Sequence, residues 1–281
     1  MDFLEILKAI FFGIVEGITE WLPISSTGHM ILLDEFVKLN VSEGFLELFL
    51  VVIQLGAILA VPILFFDKLN PFSKKKNSDE KKETLNIWGK AIVGAVPAAI
   101  IGLLLDDFLD EHLYNYIVVA IALIVYGVAF ILVEKVFLKN RAPRVTDVRE
   151  LTYKDALYIG AFQILALVPG TSRSGSTILG GLVGGISRQA SAEFSFFVAI
   201  PVMLGASLLK IVKFIAEGLT ATSNEILLLA VGMLVSFIVS YFAIKFLMDF
   251  VKRHDFSPFG IYRIVLGALV LGYFIIKTVA V

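Results

Sequence analysis

Six apolar runs, each close to the ~20 residues that carry a helix across a bilayer, constrain this chain more than any motif in it. They are Leu46–Phe66, Ala91–Leu105, Ile117–Val133, Phe194–Phe214, Ile226–Phe250 and Ile261–Val279. The shortest, Ala91–Leu105, needs its flanks or local thinning of the bilayer to complete a crossing. Polar and apolar residues do not alternate within the runs, which argues against a membrane barrel. Composition agrees: 58% of the 281 residues are hydrophobic and 17% charged, with a mean hydropathy of +0.89. A water-soluble domain of this length needs more charge to wet its surface. The net charge of −1 gives no footing for nucleic acid, and none is expected as a partner. The chain has no cysteine, so neither a disulfide framework nor thiol chemistry is available. Asp2 and Glu5 stand where a signal peptide would be basic, and Glu16 and Glu20 interrupt any apolar core. No cleaved leader is expected.

The loops between runs carry the topology. Residues 67–86 include Lys68, Lys74, Lys75, Lys76, Lys81 and Lys82, and residues 135–154 include Lys135, Lys139, Arg141, Arg144, Arg149 and Lys154. Between them, residues 106–116 hold Asp106, Asp107, Asp110 and Glu111 with no Lys or Arg. The positive-inside rule places the two basic loops in the cytoplasm and the acidic one outside. Lys252 and Arg253 place the loop near residue 255 inside as well. Both termini then fall outside.

Two apolar segments remain, Phe3–Leu33 and Ala156–Ile186, each interrupted by Pro, Gly, Ser and Thr. Neither can cross without upsetting the charge assignment, so each reads as a re-entrant helical hairpin. Pro23 can be set on Pro169 by a shift of 169 − 23 = 146, and the same shift puts Glu47 on Glu193. A hairpin followed by three spans thus occurs twice, and because three is odd the copies are inverted. The expected fold is an all-α integral membrane domain over residues 1–281, with six transmembrane helices, two re-entrant hairpins and an inverted-topology repeat. Half one is 1–134, a cytoplasmic loop spans 135–154, and half two is 155–281. In such a repeat the site lies where the broken hairpins meet.

The first hairpin carries Glu16-Gly17-Ile18-Thr19-Glu20-Trp21-Leu22-Pro23-Ile24-Ser25-Ser26-Thr27-Gly28-His29. Glu16 and Glu20, four apart, share a helix face. Paired carboxylates in an apolar segment either take up a proton or hold a cation between them. Hard oxygen ligands suit Mg²⁺ or Ca²⁺ that also touches phosphate; a water-facing polar stripe or a proton relay is the alternative. After Pro23 come the hydroxyls of Ser25, Ser26 and Thr27, then His29. The histidine can act as acid or base to a hydroxyl, or attack itself. The plainer reading is a helix cap with an interfacial histidine. In the second hairpin, Pro169-Gly170-Thr171-Ser172-Arg173-Ser174-Gly175-Ser176-Thr177 puts an Arg and several hydroxyls where charge is costly. Arg173 has the planar fork that fits phosphate oxygens, and Gly170 lets the backbone approach a ligand. Thr171, Ser172, Ser174 and Thr177 can donate hydrogen bonds, and a helix starting there aims its N–H groups at the same anion. A structural pairing of Arg173 with Glu16 or Glu20 leaves the hydroxyl cluster unexplained. An anion site for phosphate is the better reading. Gly180, Gly181, Gly184 and Gly185 indicate close helix packing and a candidate homodimer surface. Trp21, with Tyr114 and Tyr116, reads as a marker of interface depth.

The two motifs, in this order and separation, resemble those of bacterial undecaprenyl-diphosphate phosphatases of the bacitracin-resistance type, over essentially the whole chain. The resemblance implies a divalent cation, Mg²⁺ or Ca²⁺, at Glu16 and Glu20. It implies Ser26 as nucleophile, His29 as acid/base, Arg173 as the diphosphate clamp, and Ser172, Ser174 and Thr177 lining the same site. It also implies a polyprenyl diphosphate substrate, a plasma-membrane location with the site facing outward, and a role in cell-wall precursor recycling. Phosphatases of the phosphatidic-acid type need two histidines at the phosphate, whereas His112 and His254 fall in loops on opposite faces. A lipid-phosphate transporter fits the inverted repeat equally well, but a carrier needs no nucleophile.

Overall fold

A computed structural model describes residues 3–279; the side chains at 106, 107, 110, 278 and 279 are outside that description. The sequence argument from Asp106, Asp107 and Asp110, and the placement of the extreme termini, therefore lie outside the described residues. The described chain is helical, without a sheet among its described residues. A broken pair, α1 (Phe3–Thr19) and α2 (Ser26–Phe36), precedes α3 (Glu43–Leu64), α4 (Ser78–Leu113) and α5 (Tyr116–Leu132). A second broken pair, α6 (Tyr153–Ile164) and α7 (Arg173–Val183), precedes α8 (Arg188–Ala216), α9 (Ser223–Phe250) and α10 (Ser257–Val279).

Six helices are long and apolar enough to cross a membrane, and each contains or closely overlaps one of the six apolar runs. The short run at Ala91–Leu105 is completed by its flanks. Asn77 caps α4, accepting from the backbone N–H of Asp79 and Glu80, while Glu80 accepts from the N–H of Asn77. The helix therefore starts inside the expected basic loop and ends at Leu113, inside the expected acidic one. Both loops are shorter than the charge pattern suggests. The outer surface explains where such helices must sit. Leu104, Phe242, Leu269 and Ile276 are each more than 60% exposed, and leaving a side chain of this kind in water forgoes ~1.5–3 kcal/mol. Such a belt is stable in lipid.

Packing between the halves is reciprocal. The Ser240 hydroxyl of α9 donates to the Gly17 carbonyl of α1 at 3.4 Å, and Gln163 Nε2 of α6 donates to the Gly94 carbonyl of α4 at 3.3 Å. Each broken pair thus packs on the middle span of the other half. Glu47 of α3 pairs with Lys210 of α8, and Glu193 of α8 pairs with Lys68 beyond α3, both at 2.6 Å. Where α5 crosses α10, a side chain at Gly127 or Gly260 would stand 2.6 Å from the other's carbonyl oxygen. One arrangement of contacts, applied twice with the halves exchanged, is compatible with an inverted repeat.

At the loops the register shifts by one. Ser25 and Ser172 cap α2 and α7, their hydroxyls accepting from the N–H of Gly28 and Gly175. The structural offset there is 172 − 25 = 147, not the 146 that aligns the prolines. The Gly180 and Gly181 faces are taken up inside the chain, against Phe162 and Ser191, as the close-packing reading expects.

Candidate active site

The two capped loops meet. Among the described residues, Ser25 and Ser172 are the non-glycine positions with positive φ, 74° and 77°, a conformation that costs of order 1–3 kcal/mol. Equivalent strain at equivalent caps marks both breaks as positions where shape outweighs local stability. Because α2 and α7 both begin here, their first-turn N–H groups and positive dipole ends add to any anion site between the loops.

Glu20 is the hub. Arg173 Nη2 donates to Glu20 Oε1 at 2.7 Å, and the Ser26 hydroxyl donates to Glu20 Oε2 at 2.7 Å. Arg173 Nη1 donates to the Ser195 carbonyl of α8 at 2.7 Å, and its guanidinium lies 5.6 Å from the Trp21 ring centroid. Trp21 is fully buried, edge-on to Phe196 at 5.4 Å. It braces the arginine from inside the protein and does not mark interface depth, because the loop turns it into the core. Glu16, one helical turn before Glu20, is 1% exposed, and its Oε1 has no hydrogen-bond partner.

Several expected ligands hold the loops together. The Ser174 hydroxyl donates to the Glu20 carbonyl at 3.1 Å and shares a 3.1 Å bond with Ser172 Oγ. The Thr177 hydroxyl donates to the Arg173 carbonyl at 3.0 Å and lies 2.7 Å from Ser195 Oγ. Thr27 sits in the first turn of α2, next to Ser26. Gly170 has φ +90°, and a side chain there would meet the Val119 carbonyl oxygen at 2.5 Å. The plainer capping role of Ser25 and the pairing of Arg173 with Glu20 both occur, alongside the features that read as functional.

His29 points elsewhere. Its Nδ1 is 2.7 Å from the Ser25 carbonyl, which can only accept, so Nδ1 carries the proton. The other nitrogen, Nε2, then accepts from the Tyr262 hydroxyl at 2.6 Å. The Ser26 proton is thus directed at Glu20 rather than His29.

Tyr262, Ser195 and Arg263 escape motif reading. Arg263 is 0% exposed and clasps both loops. Its Nη1 donates to the Pro23 carbonyl at 3.1 Å, and its Nη2 to the Gly170 and Thr171 carbonyls at 2.8 Å each. The signal was present: a guanidinium inside the last apolar run is an intramembrane charge that needs a partner.

The donor set suits a hard divalent cation. Glu16 offers a buried, unpartnered carboxylate oxygen, and Glu20 follows on the same face. Among the described residues no group of three or more His, Cys, Asp or Glu side chains converges. Further ligands would be phosphate oxygens and water, which is usual for Mg²⁺.

Comparison with known proteins gives one consistent result. A family profile described as "Bacitracin resistance protein BacA" matches residues 9–269. A protein of Enterococcus faecalis named undecaprenyl-diphosphatase is 59% identical over 98% of this chain and 99% of its own length. A protein of that name from Acetivibrio thermocellus and one from Clostridioides difficile named undecaprenyl-diphosphatase 1 are each 58% identical, over 97% and 96% of this chain and 98% and 97% of their own.

Proposed function

The chain belongs to the bacitracin resistance protein BacA family, and on that premise we propose that it hydrolyses undecaprenyl diphosphate to undecaprenyl phosphate and inorganic phosphate. The activity recycles a lipid carrier of cell-wall precursors and confers bacitracin resistance. It is a multi-pass membrane hydrolase, and the charge pattern supports a plasma-membrane orientation with the site open to the outer side.

The single observation that carries the chemistry is the Ser26–Glu20–Arg173 chain, nucleophile to base to clamp, with both links at 2.7 Å. Ser26 Oγ attacks the terminal phosphorus in line, and its proton passes to Glu20. The bridging P–O bond breaks, and undecaprenyl phosphate leaves with the bond's electron pair. Glu20 releases that proton to solvent, takes the proton of the water that attacks the phosphoseryl group, and passes it to Ser26 Oγ as the P–O bond breaks, which releases phosphate and restores Ser26. Arg173 and the N–H groups opening α2 and α7 neutralise charge on the phosphoryl oxygens. In phosphoryl transfer such positioning and charge stabilisation supply most of the rate. Glu16 and Glu20 would hold Mg²⁺ or Ca²⁺, whose charge would further neutralise the diphosphate. Ser25, Thr27, Gly170, Ser172, Ser174 and Thr177 shape the cradle, and the prenyl tail stays in lipid.

The test is phosphate release from undecaprenyl diphosphate by purified protein in detergent, with and without chelator. Turnover is expected to need a divalent cation, and to collapse in Ser26→Ala and Arg173→Ala. Folded protein that binds the lipid but releases no phosphate would overturn the reading and favour a carrier.

Tyr262 is a positioning residue for His29. Tyr262→Phe removes the donor that fixes Nε2, a hydrogen bond worth ~0.5–1.5 kcal/mol. Because the Ser26 proton goes to Glu20, kcat and its pH profile are expected to stay close to wild type. A fall of about tenfold in kcat with a displaced profile would bring His29 into proton transfer.

A further inference from the structure

Away from the site, a cavity of about 430 Å³ opens where the 138–146 loop, the end of α7, the first turn of α8 and the end of α9 converge. Its walls include Arg141, Arg188 and Lys252 with the polar side chains of Thr146, Ser187 and Gln189, and no carboxylate. The 138–146 loop and Lys252 belong to loops that the positive-inside rule assigns to the cytoplasm, and the rest of the wall packs against them.

Of the three cations, Arg188 is held by a buried acid, Lys252 has one exposed acidic neighbour, and Arg141 has no carboxylate partner among the described residues. Arg188 uses Nε and Nη2 on Glu134, at 2.9 and 2.5 Å. The Glu134 carboxylate is 0% exposed and also accepts from the Phe256 N–H. This pair fixes Arg188 in place and leaves Nη1 over. Arg141 rests on the Phe137 ring at 3.9 Å, and among the described residues no carboxylate pairs with it. Lys252 has only Asp249, a solvent-exposed neighbour three residues away. Pairs of that kind are worth little. Ser187 caps α8, so the 29-residue helix adds the positive end of its dipole to the same hollow.

Topology alone asks for basic residues on this face. It does not ask for three to converge on one hollow whose wall carries no carboxylate and sets hydroxyl and amide donors beside them. Leu182 and Val251 give the cavity apolar walls at the ends of membrane helices. Basic pockets so placed take anionic lipid heads.

We propose that this cavity binds a phosphate-bearing anion on the cytoplasmic face, separate from the hydrolytic site. The head of an acidic phospholipid is the source its placement favours. Arg141 and Lys252 supply charge, and Arg188 supplies a directed N–H donor. The site would tie the protein to anionic lipid whatever the substrate outside.

The test is native mass spectrometry of the full chain released from nanodiscs of phosphatidylcholine with phosphatidylglycerol. Wild type, Arg141→Gln/Lys252→Gln and a control, Lys139→Gln/Arg253→Gln, are compared. The control removes two cations from the same face outside the cavity. Wild type and control are expected to retain phosphatidylglycerol preferentially, and the cavity variant at least about tenfold less. Phosphate release by both variants is expected to match wild type, which shows that they are folded. A second arm adds millimolar glycerol 3-phosphate: displacement of lipid from wild type would show that the cavity equally accepts a soluble phosphate ester. Equal loss in control and cavity variants, or no anionic preference in wild type, would overturn the proposal.

Discussion

Arg263→Met is expected to cut turnover by about a hundredfold or more while the protein still inserts and folds. The reason is the division of labour at that side chain. Arg263 bonds carbonyls of Pro23 in one loop and of Gly170 and Thr171 in the other, so it sets the distance between the Ser26 and Arg173 halves of the site. Each buried carbonyl left without a donor costs ~1–3 kcal/mol. Against this stands the desolvation of a fully buried guanidinium, which Met avoids and which can offset much of the loss in global stability. The net effect should therefore appear in loop position more than in melting temperature. A 1 Å displacement of reacting groups is enough for ~100-fold in rate. Arg263→Lys keeps the charge but offers one nitrogen in place of a fork, and cannot hold both loops. It should recover little activity. The check is kcat alongside a thermal melt in the same detergent. A Lys variant at wild-type rate would show that charge, not bridging, is what Arg263 contributes.

The legible and illegible parts of the sequence divide along the same line. Helix existence is a local property: an apolar run of span length has few alternatives, and the six runs became six long helices. The breaks were also local, because Pro23 and Pro169 with their hydroxyls interrupt apolar segments. The cap geometry at Ser25 and Ser172, and the one-residue shift between the prolines, depended on how the loops meet and could not be read from spacing. The pairing of Ser26 with Glu20 crosses the break, six residues apart and out of helical register. Motif spacing instead set Ser26 with His29, three residues on, whose ring is turned to Tyr262. Arg263, Tyr262 and Ser195 arrive from distant helices. Only the rule that an intramembrane charge needs a partner could have singled out Arg263, and it names no partner. Trp21 departs from its sequence pattern for a related reason: the pull of aromatic side chains to an interface is a tendency of spans, and Trp21 sits on a loop folded into the core.

Glu20→Gln is expected to lower kcat by about 10²–10⁴-fold, the range for losing a positioned base. The amide keeps an acceptor for Arg173 and a similar volume, so the clamp at 2.7 Å can persist. What it loses is a place for the Ser26 proton. If proton removal and attack are one act, Ser26→Ala should fall comparably, and the double variant should be no worse than the poorer single, because residues that act as a unit are strongly non-additive. Glu20 also belongs to the proposed cation pair with Glu16, so the same loss could come from weakened cation binding. The two causes separate in a metal titration. A cation defect, as expected for Glu16→Gln, is relieved by raising Mg²⁺ or Ca²⁺, whereas a missing base is not. The decisive comparison is kcat at saturating cation for Glu20→Gln, Ser26→Ala, their double variant and His29→Ala. If Glu20→Gln stays within tenfold of wild type and His29→Ala collapses, His29 must turn away from Tyr262 toward Ser26 when substrate binds, and the base is the histidine.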